Sequence, residues 1–304
     1  MKFILQRLAK IDEKVSSLLP GNDASRKIIF TFYLSVIISY FVFIFYKILP
    51  HYFDLFSPSY NIFLFYGLFT LFNIVSNLTL IYMRNTSTKG VFLSDKVSQT
   101  WTFCMICQSY RPPRAHHCST CDICILRRDH HCTLLATCIG NNNHRHFLYL
   151  LFHLSIASFI ICLFCLPFMY NTILKDLTLG GKLLSSFTPL AAFGFGWVSF
   201  TNFITLTAIF VICGIFSSST IFFLLQLKFV FKNMTTIEKF RLSAEKYLNQ
   251  EKTNEVKMSY DIGLEANLIQ LLGPRYIIYI FNPWMGKPES DGLNFPLTTQ
   301  GKAR

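Results

Sequence analysis

Four long apolar runs, separated by polar stretches of unequal length, set the plan of this chain. Ile28 to Leu49 carries a single charge, Lys47, close enough to its end to snorkel. Asn61 to Met83, Phe147 to Met169 and Phe203 to Leu227 repeat the pattern. At about 1.5 Å of rise per residue, each run is long enough for a hydrocarbon core about 30 Å thick. The pattern predicts an integral membrane all-α protein with transmembrane helices at 28–49, 61–83, 147–169 and 203–227. Between them it leaves an N-tail (1–27), a polar segment (84–146), a loop of middling polarity (170–202) and a C-tail (228–304). Phe3, Ile4, Leu8 and Ile11 suit an amphipathic turn on lipid headgroups. The FGFGW stretch of the 170–202 loop reads as re-entrant or interfacial. Tyr276 to Trp284 is too short to span, and is expected to lie on the membrane or pack on the protein. Pro288 to Arg304 reads as disordered.

Composition supports the membrane and adds a direction. Apolar residues make up 52% of the 304, 33 are Phe, and only 14% are charged, which is unlike a soluble domain. The net charge of +12 admits nucleic acid or an anionic membrane surface as partner, and the apolar runs decide for the bilayer. Lys and Arg crowd the N-tail, the 84–146 segment and the C-tail, while residues 50–60 hold none and 171–202 only Lys175 and Lys182. With four spans, this bias puts both tails and the middle segment in the cytosol and makes 170–202 lumenal. Three N-x-[ST] matches, at Asn77, Asn85 and Asn233, then escape glycosylation, lying in a span or on the cytosolic side. The polar, basic start of the chain shows no removable signal pattern.

The chemistry is concentrated between Cys104 and Cys138, which holds seven of the ten cysteines and four of the eight histidines. C-x-x-C spacing beside histidines suits metal thiolates on a reducing face better than disulfides. Two tetrahedral zinc ions need eight ligands, and the seven cysteines with His117 and His131 offer nine. Cys104 and Cys107 pair with His117 and Cys124; Cys118 and Cys121 pair with His131 and Cys138. His116 or His130 could replace a neighbour in this partition. Interleaved ligands of this kind make metal binding part of folding.

Cys132 is the cysteine left over, and it follows Asp129, His130 and His131 directly. If His131 faces zinc, His130 is free for Cys132 and Asp129 for the far side of that imidazole. Such an order of nucleophile, base and orienter suits acyl transfer. Arg127 and Arg128 add positive charge that favours a thiolate. The competing reading makes all of these structural ligands or a solvated turn.

The block C-x2-C, R-P-x-R-x-H-H-C (Arg111, Pro112, Arg114, His116, His117, Cys118), C-x2-C, D-H-H-C and C-x-G-x2-N-x3-F (Cys138, Gly140, Asn143, Phe147) resembles the DHHC-type protein S-acyltransferases (palmitoyltransferases). Thr235-Thr236-Ile237-Glu238 is similar to the family's T-T-x-E motif. Tyr260-Asp261-Ile262-Gly263, with Asn267 and Leu271-Leu272-Gly273, is similar to its C-terminal motif. The resemblance implies four spans with a cytosolic cysteine-rich two-zinc domain between the second and third. It implies that Cys132, activated by His130 and Asp129, takes a palmitoyl group from acyl-CoA and passes it to cysteines of substrate proteins at the cytosolic membrane face. It further implies an acyl cavity among the spans, CoA phosphates on the basic face, a Golgi or endoplasmic reticulum location, and structural support from Thr235, Thr236, Glu238 and Asn267.

Two departures stand. Thr133-Leu134-Leu135 occupies the place of the usual Pro-Trp-Val, and Met83 to Gly90 lacks the usual Asp-Pro-Gly. They motivate a rival reading, a membrane-anchored zinc-binding scaffold for partner proteins with weak or no catalysis, against which Asp129, His130 and Cys132 stand together. Recognition of lipid headgroups by the zinc domain is disfavoured by the cysteine spacing. Nucleic-acid binding is disfavoured by charge spread over the membrane flanks.

Overall fold

The structure, a computed structural model, describes residues 23–89, 100–248 and 258–299. The amphipathic turn expected at Phe3–Ile11 lies outside them. Two compact units share the chain: Met1–Phe32 with Ser76–Tyr149 and Gln226–Arg304, and Tyr33–Val75 with Leu150–Leu225.

Apolar runs of this length can satisfy their backbone in lipid only within helices or closed barrels, and all four become helices. α1 covers Asp23–Phe43 and runs on through a π-turn (Ile44–Ile48) and a 3-10 turn (Leu49–His51) containing Pro50. α2 covers Pro58–Met83, with proline at its first position and the Ser57 hydroxyl accepting from the Tyr60 N–H. α3 covers His144–Met169 and continues through a π-turn to Leu174. Among the described residues, four stretches are long and apolar enough to cross a membrane: Arg26–His51, Pro58–Met83, His144–Leu174 and Phe200–Phe231. Each outruns its sequence-based boundary, because backbone hydrogen bonding carries a helix into polar residues where hydropathy has already faded.

In the helical unit, Ile44, Ile48, Phe168, Ile209 and Ile212 form a core that takes in Cys162 and Cys165, with Cys213 packed against it. These cysteines fill space as small apolar side chains. The 170–202 stretch is more ordered than a loop. Thr178 caps α4 (Leu179–Phe187) by accepting from the Gly181 N–H, and α5 (Pro189–Gly194) follows. Ile173, Leu174, Ala192, Val198 and Leu206 bury one another, so this segment folds as helical turns on its own apolar cluster.

The other unit is built on three antiparallel hairpins: β1 (Thr102–Cys104) with β2 (Ser109–Arg111), β3 (His116–Cys118) with β4 (Ile123–Ile125), and β5 (His130–Cys132) with β6 (Thr137–Ile139). Strands of three residues have almost no intrinsic stability. The chain before them supplies part of what they need without an Asp-Pro-Gly turn. Leu126 N–H donates to Thr86 O and Thr88 N–H to Cys124 O, both at 2.9 Å. Gly140 is required where these strands meet, since a Cβ there would lie 2.5 Å from Thr86 Oγ1 and 2.6 Å from Leu126 O.

After α6 (Phe200–Phe231), α7 (Thr236–Leu248) opens with a capping box. Thr235 N–H donates to Glu238 Oε2 at 2.8 Å, and Glu238 N–H donates back to Thr235 Oγ1 at 3.2 Å. Asn267, on α8 (Leu264–Leu272), donates to Phe231 O and Asp261 Oδ1 and accepts from Ile262 N–H, tying the tail to the end of α6. α9 (Tyr276–Phe281) packs on the protein through Tyr149 Oη, which donates to Tyr276 O, and exposes Ile277, Ile278 and Phe281.

The expectation of disorder from Pro288 onward is corrected as far as residue 299. β8 (Thr298–Thr299) pairs with β7 (Met258–Ser259), Thr298 Oγ1 donates to Asp261 O, and the Phe295 ring lies 4.8 Å from the Arg114 guanidinium. The anchors are distant in the chain and so left no local signal; residues 300–304 lie outside the described residues.

Candidate functional site

Strand register assembles the donors. His117 stands opposite Cys124 in the second hairpin and His131 opposite Cys138 in the third, so each pair shares one face. The C-x-x-C turn of the preceding hairpin closes over each pair, giving Cys104, Cys107, His117, Cys124 and Cys118, Cys121, His131, Cys138, with all donor atoms of a set within 4.8 Å of one another. His131 Nδ1 lies 3.7, 3.4 and 3.6 Å from the sulfurs of Cys118, Cys121 and Cys138. Cys107 Sγ lies 3.3 Å from His117 Nδ1. A tetrahedral ion with bonds of about 2.3 Å to sulfur and 2.0 Å to nitrogen needs donors about 3.5–3.8 Å apart. The donor sets fit such an ion. Neither His116 nor His130 enters a set.

The three hairpins share one design with a fourteen-residue period. Cys104, Cys118 and Cys132 end their first strands, and Gln108, Asp122 and Ala136 turn the chain with φ of 49°, 49° and 46°. The second cysteine of the turn is Cys107, then Cys121, then Leu135. Cys132 is therefore the first cysteine of a third knuckle whose second ligand is missing. Its neighbours Leu134 and Leu135 split: Leu134, where a tryptophan was expected, is 69% exposed, while Leu135 is 7% exposed and its carbonyl accepts from Tyr82 Oη at 2.8 Å.

Beside Cys132, His130 Nδ1 donates to Asp129 Oδ2 at 2.7 Å, and the His130 ring is fixed edge-on to Phe147, with centroids 5.2 Å apart. Asp129 is fully buried and accepts three further bonds, from Thr236 N–H (2.8 Å), Thr236 Oγ1 (2.9 Å) and Gln226 Nε2 (3.0 Å). Burial alone would raise its pKa, but neighbouring imidazoles and the donated hydrogen bonds hold it well below the usual carboxylate range. Burial pulls His130 down; the bonds and charges of Asp129 and Cys132 outweigh it and push the imidazole up to about 9. The arrangement puts an imidazole beside the Cys132 sulfur, with the carboxylate holding the ring in place.

A buried polar layer lies behind this group. Arg114 grips Glu238 through two bonds (2.7 and 2.9 Å) and stacks on Tyr260 at 4.2 Å. Asn233 Oδ1 accepts from both Arg114 and Arg127, while its amide nitrogen donates to Tyr260 O and Gln270 Oε1. Thr236, Thr235, Glu238 and Asn267, expected as support, all fall in this layer or hold its tail end. His144, Gln226 and Asn233 were missed in this layer, and Arg127 was noted only as a charge favouring a thiolate. Gln226 is an amide in the last turns of an apolar run, and Asn233 precedes the T-T-x-E residues; those were the available signals.

A cleft of about 290 Å³ runs beside the third hairpin, lined by Arg26, Arg84, Thr86, Ile125 and Thr133 among others and reaching Cys121, His131 and Cys138 of the second donor set. In the helical unit a separate apolar cavity of about 160 Å³ is lined by Tyr40, Phe45, Tyr66, Gly67, Ser158 and Phe164 among others.

The sequence model of the DHHC palmitoyltransferase family matches residues 97–243. The probable palmitoyltransferase ZDHHC24 of Rattus norvegicus is 32% identical over 242 residues, covering 76% of this chain and 77% of that protein. The probable protein S-acyltransferase 15 of Arabidopsis thaliana is 30% identical over 197 residues, 63% of this chain and 68% of its own. Palmitoyltransferase ZDHHC15A of Danio rerio is 31% identical over 199 residues, 65% of this chain and 52% of its own.

Proposed function

This chain belongs to the DHHC palmitoyltransferase family and is a protein S-palmitoyltransferase; from that premise we propose that it works through a Cys132 acyl-enzyme. The observation that carries the proposal is the 2.7 Å bond between His130 and Asp129, beside a knuckle cysteine left out of both metal sets. Cys132 Sγ, as thiolate, attacks the thioester carbonyl carbon of palmitoyl-CoA, and the electron pair moves to the carbonyl oxygen. When that pair returns, the bond to the CoA sulfur breaks, and the leaving thiolate takes the proton from His130. The neutral His130 then removes the proton of a substrate cysteine, whose thiolate attacks the acyl group on Cys132. Cys132 leaves as thiolate and His130 is again the imidazolium.

Zinc in both donor sets agrees with three thiolates and one imidazole apiece, and would supply folding energy there. Three hairpins too short to be stable alone would be cross-linked by it, which fixes His130 and Cys132 in one strand. Arg26 and Arg84 on the cleft beside Thr133 support a seat for the CoA phosphates, and a seat for the acyl chain among the spans rests on the family resemblance. The four apolar helices support a multi-pass membrane protein, and the Lys and Arg bias supports a cytosolic placement of both termini and the metal unit. A Golgi or endoplasmic reticulum location rests on the family resemblance.

Incubation of the purified protein with a clickable palmitoyl-CoA tests the acyl-enzyme. Hydroxylamine-sensitive label is expected on the wild type and absent from Cys132→Ser. Equal label on both would overturn it.

A further inference from the structure

Asp129 receives one of its hydrogen bonds from a residue far away in sequence, Gln226, and the partners behind Gln226 dictate how its amide must point. Arg127 Nη1 lies 3.3 Å from His144 Nδ1. A guanidinium can only donate, so Nδ1 must be the acceptor and the proton of a neutral imidazole sits on Nε2. That Nε2 lies 3.0 Å from Gln226 Oε1 and donates to it. The amide oxygen is thus occupied, and the amide nitrogen is turned to Asp129 Oδ2, 3.0 Å away. All four side chains are buried, between 0% and 7% exposed, so water does not offer an alternative partner.

We propose that Gln226 is a positioning residue of the transferase site, oriented by a one-way hydrogen-bond relay that runs from Arg127 through His144 to Gln226 and ends on Asp129. The proposal rests on the acyl-enzyme reading above. The relay begins on a guanidinium, which can only donate, and ends on a carboxylate, which can only accept, so each link has one orientation. Without it the amide could turn its oxygen to Asp129 and repel the carboxylate that holds His130. Asp129 would then lose the fixed position from which it sets the His130 ring, and with it the line from the imidazole to Cys132. The relay adds a donor at Asp129 without adding a charge there, so the pairing of Asp129 with His130 is left undivided.

Single-turnover acylation of the full-length protein by palmitoyl-CoA tests this, because its rate constant and its amplitude report different things. Gln226→Met keeps the bulk and removes the amide. It is expected to lower the limiting rate constant about ten- to a hundred-fold, the usual consequence of losing a hydrogen bond to a charged group. Amplitude and the palmitoyl-CoA concentration for half-maximal rate should stay as in the wild type. His144→Phe should slow the reaction too, and the double variant should be no slower than the slower single one.

A wild-type rate constant in Gln226→Met would overturn the proposal. So would lost amplitude at an unchanged rate constant, which marks a structural role alone, or effects that multiply in the double variant. Should Gln226→Met not fold, a wild-type rate constant in His144→Phe overturns it equally. Acylation of Cys132→Ser at the wild-type rate would instead sink the acyl-enzyme reading itself.

Discussion

Thr236 gives the Asp129 carboxylate two hydrogen bonds at once, its backbone N–H to Oδ1 at 2.8 Å and its hydroxyl to Oδ2 at 2.9 Å. Thr236 is the first residue of α7, so the unpaired N–H of a helix start is aimed at the carboxylate that steadies His130. The capping box of Thr235 and Glu238 fixes the direction of that start.

Removing only the Thr236 hydroxyl follows from this geometry. Thr236→Val keeps the shape and the N–H and should slow acyl-enzyme formation about ten-fold, the loss of one bond to a charged group. Thr236→Ser should restore the rate. Single-turnover kinetics with palmitoyl-CoA checks both, and equal rates for Val and Ser would mean the hydroxyl contributes nothing.

Glu238 and Arg114 set an acid limit on the metal-binding unit. Burial pushes the Glu238 carboxyl up, but the Arg114 guanidinium and the Thr235 N–H hold it below the usual range. A carboxyl with a depressed folded-state pKa contributes stability above its unfolded value near 4.5, and that stability fades as pH falls through the lower folded value. Glu238→Gln should therefore destabilise the protein by about 3 kcal/mol at neutral pH, since Arg114 is left buried without its partner. The difference between variant and wild type should shrink as pH falls below about 4.5. Thermal unfolding in detergent across pH measures it, and a gap that stays constant into acid would refute the assignment.

These two residues show where the sequence was legible. Thr236 and Glu238 stood out through a short motif, and the eight metal donors through spacing, because both signals are local in the chain. The partners that make them work are not local: Asp129 meets Gln226 and Thr236 roughly a hundred residues on, and Arg114 meets Glu238 at a similar separation. The apolar run Phe203 to Leu227 announced α6 but gave Gln226, next to its last residue, no role. The order of the tail was hidden for the same reason, since Phe295 is anchored by Arg114 and Tyr260, and Thr298 by Ser259 and Asp261. One local signal was overlooked. The fourteen-residue period of Cys104, Cys118 and Cys132 would have shown Leu135 in a ligand's place.

Metal and acylation should fail together when the shared hairpin is damaged. His131 and Cys138 belong to the same β-hairpin as His130 and Cys132. If both donor sets hold zinc as proposed, Cys138→Ala should lower the bound metal by one ion and abolish acyl-enzyme formation, because the strand that carries Cys132 loses its cross-link. Elemental analysis alongside acylation tests the coupling. Full acylation with one ion fewer would show that the hairpin stands without metal.

Leu135 offers the sharpest test of why Cys132 is free to react. In the first two hairpins a second cysteine three residues on turns the first into a metal ligand; in the third, Leu135 fills that position, buried. Leucine keeps the turn packed while denying a metal the second thiolate it needs. Leu135→Cys should recreate the knuckle, with Cys132 and the new thiol able to hold an ion together. The two thiols are too few for a closed tetrahedral site, so the ion should be weakly held. Acylation by this variant should become inhibited by added micromolar zinc and recover on chelation, under conditions where the wild type is unaffected. If zinc leaves the variant as active as the wild type, the absence of a second cysteine is not what keeps Cys132 available.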